Sequence, residues 1–153
     1  MADCVPARIV VGGVVHRSDY PAFLTVLEGE GFLAGDDDAG IVEAAVAAGT
    51  SLEFDEDEVP WGYFACLEKF CVDHGLPFVR WCGSQPGSWP AQRVVFSGAG
   101  EPRAFLATES DEVVLTALAV EELGSIDAIN AWFAAADVSV PPLALVDGEV
   151  VHG

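Results

Sequence analysis

Apolar residues along the chain alternate with polar residues in some segments and recur at helical spacing in others. Alternating or β-branched runs predict strands at residues 8–11, 14–16, 51–54, 76–82, 93–96, 103–107 and 143–146. Helical spacing, with capping residues at several ends, predicts helices near residues 18–29, 41–48, 60–74, 116–123 and 125–136. The two patterns together indicate a protein that contains both helices and strands.

Turn-forming dipeptides between the predicted strands indicate hairpins. Gly12-Gly13 separates the first two strands, and Asp147-Gly148 precedes Val150-Val151. A third hairpin is predicted around residues 97–101. No linker-like segment divides the chain, so we predict a single α+β domain over residues 1–153. Its sheet is expected to be mainly antiparallel, with hairpins, and packed against three or four helices.

The segment at residues 60–74 has the clearest amphipathic pattern. Its apolar positions recur at helical spacing and are Trp61, Phe64, Leu67, Phe70 and Cys71. Pro60 suits the first turn of a helix and Gly75 suits the position after its last residue. We interpret Phe54 and Trp61, which stand beside acidic residues, as core residues. Trp89 lies in a loop between Ser88 and Pro90, and we predict that it is exposed.

A large excess of acidic residues is the most informative feature of the composition. The chain has 25 Asp and Glu residues against 6 Lys and Arg residues, giving a formal net charge of −19, yet 52% of its residues are hydrophobic. That apolar content excludes a disordered acidic tail. Six cations cannot neutralise many phosphates, which argues against direct binding to nucleic acid. Between Arg17 and Lys69 the sequence has no cation, and twelve acidic residues fall within residues 19–58 alone.

The acidic residues of this interval are the candidate partner-binding residues. We predict that a partner contacts the loop aromatic Trp89 together with Asp36, Asp37, Asp38, Glu53, Asp55, Glu56, Asp57 and Glu58. Two explanations of the charge stay open. Adaptation to high salt would spread acids evenly over the surface, whereas a focused negative surface would attract a basic protein. By the charge spacing of a duplex, residues 19–58 would match roughly 20 Å of nucleic acid.

Signatures of catalysis are missing from the sequence. It contains no glycine-rich phosphate loop, no G-x-S-x-G nucleophile motif and no H-E-x-x-H zinc motif. The run of aspartates at residues 36–38 does not fit the calcium-binding loop pattern. An alternative zinc site would use Cys66, Cys71, His74 and Cys82. A cysteine–histidine nucleophile would instead pair Cys71 with His74. We expect no enzymatic activity and no cofactor.

The sequence shows no signal-like or membrane-spanning segment. Residues 1–4 do not introduce a basic region followed by an apolar core, and no apolar run approaches about 18–20 residues. We therefore expect a soluble, cytoplasmic protein.

One part of the chain resembles a known group of proteins. Trp61-Gly62-Tyr63-Phe64 and the segment at residues 74–80 resemble a family of small acidic proteins carried on bacterial plasmids, phages and integrated elements. The resemblance extends to residues 93–96 and 140–142, and the family brings no known activity. In size and charge the chain also resembles anti-CRISPR and antirestriction proteins in general character, a likeness that assigns no role to any residue.

Charge and resemblance lead to one leading hypothesis. The protein is expected to be a non-enzymatic inhibitor of a bacterial nucleic-acid-binding defence complex, such as a CRISPR effector or a restriction enzyme. Its acidic surface would block a basic groove. The alternative is an immunity-type or regulatory protein that binds one basic protein through a mixed acidic and aromatic surface. A homodimer stays open.

Overall fold

A computed structural model describes residues 4–33 and 40–147. The strands in these residues are β1 (Cys4–Val11), β2 (Gly13–His16), β3 (Leu52–Pro60), β4 (Phe78–Cys82), β5 (Gln92–Phe96), β6 (Arg103–Leu106) and β7 (Leu143–Val146). The helices are α1 (Tyr20–Gly29), α2 (Ile41–Ala48), α3 (Ala65–His74), α4 (Ala117–Leu123) and α5 (Ile126–Ala136). Among these described helices, none is both long and apolar enough to cross a membrane.

The main sheet has five antiparallel strands in the order β3-β1-β4-β5-β6. A second, two-stranded sheet pairs β2 with β7 in parallel. The predicted α+β class and mainly antiparallel sheet are confirmed, as is the hairpin of β5 and β6. The described residues contain five helices, which correspond to the five helical segments predicted from the sequence.

The predicted hairpin at Gly12-Gly13 is wrong. The backbone N–H of Gly12 donates to the carbonyl of Pro77 at 3.1 Å, and that of Gly13 donates to Pro142 at 3.2 Å. The chain therefore leaves the main sheet at this point, and β2 runs beside β7 instead of folding back on β1. The other predicted turn, at Asp147-Gly148, extends beyond the described residues.

The core lies mainly on one face of the five-stranded sheet. Ile9 of β1 and Phe78 of β4 are fully buried there with Phe23 of α1 and Leu67 of α3. On the other face, Val95 and Phe105 form a smaller cluster with Ala136 of α5. Strand β3 is at one edge of the sheet, and no other strand of residues 4–33 and 40–147 pairs with its outer side.

The segment between β3 and α3 differs from our prediction. The strand predicted at residues 51–54 continues to Pro60 and takes in the acidic run. Trp61 and Gly62 then have positive φ angles of 59° and 74°, which a helix cannot contain, and α3 begins only at Ala65. As a result Trp61 is 50% exposed and is not a core residue.

Candidate functional site

Five of the predicted acidic residues stand in β3. All five side chains are exposed, and they are Glu53, Asp55, Glu56, Asp57 and Glu58. Within residues 4–33 and 40–147, none of these carboxylates takes part in an ion pair. The edge of the main sheet therefore carries a row of solvated negative charges, which we call the acidic edge (residues 53–58).

The carboxylates of the acidic edge divide between the two faces of the sheet. Residues that oppose each other in an antiparallel pair project from the same face. Asp55 opposes Arg8, and Glu53 lies two residues from Asp55 on that same face, away from the main core. Glu56 opposes the buried Ala7 and therefore projects from the core face. The acids share one edge but not one face.

A bulge interrupts the acidic edge at its far end. The pairing of β3 with β1 shifts register between Val5 and Ala7, so that Asp57 and Glu58 together oppose a single β1 residue. Val59 is then buried again. Bulges bend a strand and increase its twist. This bend adjoins the turn that leads into α3.

Arg8, the cation that opposes the acidic edge in the sheet register, is already engaged by another carboxylate. Arg8 opposes Asp55 across the strands, yet its Nη2 is 3.2 Å from Oδ2 of Asp111 and its guanidinium lies 6.0 Å from the ring centre of Trp81. Arg93 contacts the other oxygen of Asp111 at 3.0 Å. Asp111 therefore holds Arg8 and Arg93 on this face, and the acidic edge keeps its charge.

A cleft of about 500 Å³ opens beside the acidic edge, between the end of α1 and the start of α3. The residues that line it include three acids, Glu30, Glu56 and Glu58, and two aromatic residues, Trp61 and Tyr63. Trp61 is 50% exposed and Tyr63 is 45% exposed. The cleft thus combines negative charge with accessible aromatic surface.

A buried ion pair holds the aromatic turn (residues 61–64) in place. Nε of Arg80 lies 3.2 Å from both carboxylate oxygens of Glu68, and its Nη1 donates to the carbonyl of Gly62 at 3.1 Å. Glu68 also accepts the backbone N–H of Phe64 at 2.6 Å. The guanidinium and the carboxylate therefore fix the two ends of the turn that carries the cleft aromatics.

Glu30, which lines the cleft, lies close enough to the buried Glu68 for their two carboxylates to repel each other. Burial raises the pKa of Glu30, and the negative charge of Glu68 raises it further. Burial also raises the pKa of Glu68, because its desolvation outweighs the attraction of Arg80. A cation bound in the cleft would relieve part of this repulsion.

Trp89 is half-buried rather than exposed as we predicted. Its ring packs against the main core, its Nε1 donates to the carbonyl of Gly83 at 3.3 Å, and its ring centre is 6.0 Å from that of Trp61. The apolar spacing that placed Trp61 in a helix was misleading, because residue 61 belongs to a turn. Trp89 therefore packs beside the exposed ring of Trp61, and a direct role for it in partner binding stays a prediction.

The remaining predicted site residues are Asp36, Asp37 and Asp38. They lie outside the residues that the structure describes. Their role in partner binding stays a prediction.

The cysteine-based alternatives find no support in the geometry. The zinc set that we considered was Cys66, Cys71, His74 and Cys82. Cys66 is exposed, whereas Cys71 and Cys82 are buried. In the described part of the chain, no three cysteine, histidine or acidic side chains come close enough together to hold a metal ion. Burial, assisted by the charge of Glu68, raises the pKa of Cys71 to about 12, so its thiol is not ionised at neutral pH.

Sequence reasoning missed the cleft, including the contribution of Glu30. One signal in the sequence could have indicated it. Gly62 stands between two aromatic residues in what we took for the first turn of a helix, where glycine costs about 1 kcal/mol relative to alanine. A turn that presents Trp61 and Tyr63 explains that glycine better than a helix does.

No protein-family model, curated protein or solved structure matches this chain. The resemblance to mobile-element proteins at residues 61–64 and 74–80 therefore stays a prediction, as does the general likeness to anti-CRISPR and antirestriction proteins. What the protein does must be inferred from the chemistry of its surface.

Proposed function

We propose that this protein is a non-enzymatic inhibitor of a bacterial nucleic-acid-binding defence complex, of the anti-CRISPR or antirestriction type. The acidic edge would occupy the basic groove that otherwise receives DNA or RNA. The observation that carries the proposal is the row of five exposed carboxylates along one edge strand. The proposal requires a cytoplasmic location, where such complexes act.

The strand form of the acidic edge supports this proposal. An antiparallel strand rises about 3.4 Å per residue, and the phosphates of one DNA strand recur about every 3.4 Å along the helix axis. Residues 53–58 thus present five carboxylates over about 17 Å. The same residues in a helix would rise only about 1.5 Å each. Because the acids project from both faces of the sheet, the groove should enclose the edge from two sides.

Charge reversal along the acidic edge tests the proposal. The assay measures release of a labelled duplex from a purified CRISPR effector–guide complex and from a purified restriction enzyme, with fluorescence anisotropy as the signal. The wild-type protein should release the duplex, and the variant with D55K, E56K, D57K and E58K should not. A matched control reverses four exposed acids elsewhere, as E101K, E112K, E121K and E122K, and should still inhibit.

The proposal is wrong if the wild-type protein releases no duplex from either complex, or if the two four-lysine variants inhibit equally. Both variants change the net charge by the same amount, so a difference between them reports position and not total charge. Inhibition should also weaken steeply between 0.05 and 0.5 M salt, because exposed charges are screened over about 10 Å at 0.1 M salt. Unfolding curves of both variants control for loss of the fold.

A second candidate is an immunity-type or regulatory protein that binds one basic protein partner. The observation that favours it is the cleft, where the exposed rings of Trp61 and Tyr63 stand beside Glu56 and Glu58. Competition separates the two candidates. Excess duplex should displace an inhibitor that occupies a nucleic-acid groove, but should leave an immunity-type complex intact. The capture step is a pull-down from cells that contain CRISPR and restriction systems.

A further inference from the structure

The cleft beside the acidic edge exposes more aromatic surface than a solitary domain needs. Trp61 and Tyr63 are half-exposed, and both line one concavity of about 500 Å³. Single exposed apolar side chains are ordinary on protein surfaces, but adjacent aromatic rings in a concave site are typical of binding sites. The volume is within the usual range for such sites, about 300–1,000 Å³.

The charge around the cleft selects a cationic occupant. Glu30, Glu56 and Glu58 line it, and the described residues that line it include no lysine or arginine. Gly29, the last residue of α1, is also part of the lining, and the carbonyl end of a helix carries partial negative charge. A second copy of a chain with a net charge of −19 would be repelled from this site. The complementary partner is therefore a basic protein.

Aromatic surface beside paired carboxylates favours arginine over lysine. The planar guanidinium of arginine stacks on aromatic rings and donates to two carboxylate oxygens at once, whereas the ammonium of lysine is a strongly hydrated point charge. Glu56 and Glu58 supply carboxylates, and Trp61 supplies the ring. Both halves of a guanidinium site are present in one cleft.

The ring of Trp61 is also held in advance of binding. Trp89 packs against it with ring centres 6.0 Å apart, and Arg80 fixes the neighbouring carbonyl of Gly62. A preformed ring loses less conformational entropy when a ligand binds. Rigid support of an exposed aromatic side chain is the arrangement expected of an interface anchor.

We infer that this cleft receives an arginine side chain of the basic partner, stacked on Trp61 and paired with Glu56 and Glu58. The inference rests on the proposed function, since it names the group on the partner that the acidic surface recognises. The acidic edge supplies general attraction to a basic groove. The cleft supplies selectivity for arginine within it.

Calorimetric titration with two peptides of equal charge, hexa-arginine and hexa-lysine, tests the inference. The wild-type protein should prefer hexa-arginine by about threefold to tenfold, the size of one well-formed cation–aromatic contact. W61A should bind both peptides equally. E56Q/E58Q removes two charges from the cleft side, and its matched control E53Q/D55N removes two charges from the opposite face of the same strand.

The result expected is that E56Q/E58Q loses the arginine preference and E53Q/D55N keeps it. Equal affinity of the wild-type protein for the two peptides would overturn the inference, and so would equal effects of the two double variants. Failure of the proposed function is distinguishable. If W61A and E56Q/E58Q release duplex from the defence complexes as well as wild type does, the cleft inference fails and the acidic edge stands. If the wild-type protein binds hexa-arginine selectively but releases no duplex, the proposed function fails and the cleft inference stands.

Discussion

The buried pair of Arg80 and Glu68 links the stability of the protein to the shape of its candidate site. The side chains are 6% and 14% exposed, and Arg80 also holds the carbonyl of Gly62. We predict that R80M is strongly destabilising at neutral pH. Methionine fills similar space, but it leaves a buried carboxylate without its counter-ion and a backbone carbonyl without its donor.

The expected cost of R80M follows from the burial of the partner. Removing one member of a buried ion pair costs about 3–5 kcal/mol, because the remaining charge stays desolvated. E68Q in the R80M background removes that charge and keeps an oxygen to accept the N–H of Phe64. We therefore expect R80M/E68Q to recover most of the loss, with a coupling free energy of about 2 kcal/mol or more.

The pH dependence gives this prediction a second signature. Without Arg80, the pKa of Glu68 rises further above the ordinary value of 4.5, because an attraction that lowered it is gone. The folded state of R80M then binds this proton more tightly than the unfolded chain does. Relative to the wild-type protein, its stability deficit should grow as pH rises above the pKa of Glu68 in the wild-type fold, which already lies above 4.5, and should shrink as pH falls towards 4.5. R80M/E68Q lacks the titrating group and should not show the effect.

Urea unfolding followed by tryptophan fluorescence measures all four proteins, from pH 4.5 to pH 8. The difference between each variant and the wild-type protein at each pH cancels the titration of the other acids. A loss below about 1 kcal/mol for R80M would refute the reasoning, since it lies far under the range for a broken buried pair. Strict additivity of R80M and E68Q would refute it as well.

Two further predictions concern backbone strain and thiol burial. In urea unfolding, G62A should destabilise the protein by more than G87A. Both glycines have positive φ, but only at residue 62 would a Cβ lie 3.0 Å from a buried cysteine. G87A therefore reports the cost of the left-handed conformation alone, about 1–2 kcal/mol, and equal losses of stability would contradict this packing. In the folded protein at pH 8, a thiol reagent should modify the exposed Cys4 and Cys66 quickly and spare Cys71, whose pKa is about 12. All four cysteines should react in urea, and rapid native labelling of more than two would show that the core is open.

Elements with complete local signals were predicted well. Helix α2 begins and ends where the sequence indicated, because Gly49 adopts the left-handed conformation that ends a helix. Gly75 ends α3 in the same way. The β5–β6 hairpin needed only two alternating runs with a glycine-containing loop between them. Each of these features depends on residues close together in the sequence.

Features that depend on distant partners were not predictable from a single sequence. The pairing of β2 depends on backbone bonds from Gly12 and Gly13 to residues 77 and 142. The start of α3 depends on Glu68, whose orientation depends in turn on Arg80. The acidic run forms a strand although Asp and Glu are depleted in strands, because β1 supplies a paired neighbour.

Only part of the candidate site was predicted, because the rest of it depends on residues that are distant in the sequence. The acids of β3 were identified from their density alone, whereas the cleft required knowledge of what lies beside them. Trp61 was assigned to the core because its spacing from Phe64 suits a helix. Its exposure follows from the turn at Gly62, which no periodicity shows. The charge of the site could therefore be predicted from the sequence, whereas the shape of the cleft could not.

Strand β3 also presents a problem that charge alone would solve. An edge strand exposes unpaired backbone groups that invite another strand, and charged side chains and bulges prevent such pairing. Protection of this kind does not depend on the sign of the charge, whereas binding to a basic groove does. The four-lysine variant at residues 55–58 separates the two roles, because lysines protect an edge as well as acids do. We expect this variant to stay monomeric in sedimentation velocity experiments and yet not to release duplex from the defence complexes. If a monomeric variant does release duplex, the acids of the edge serve only to prevent aggregation.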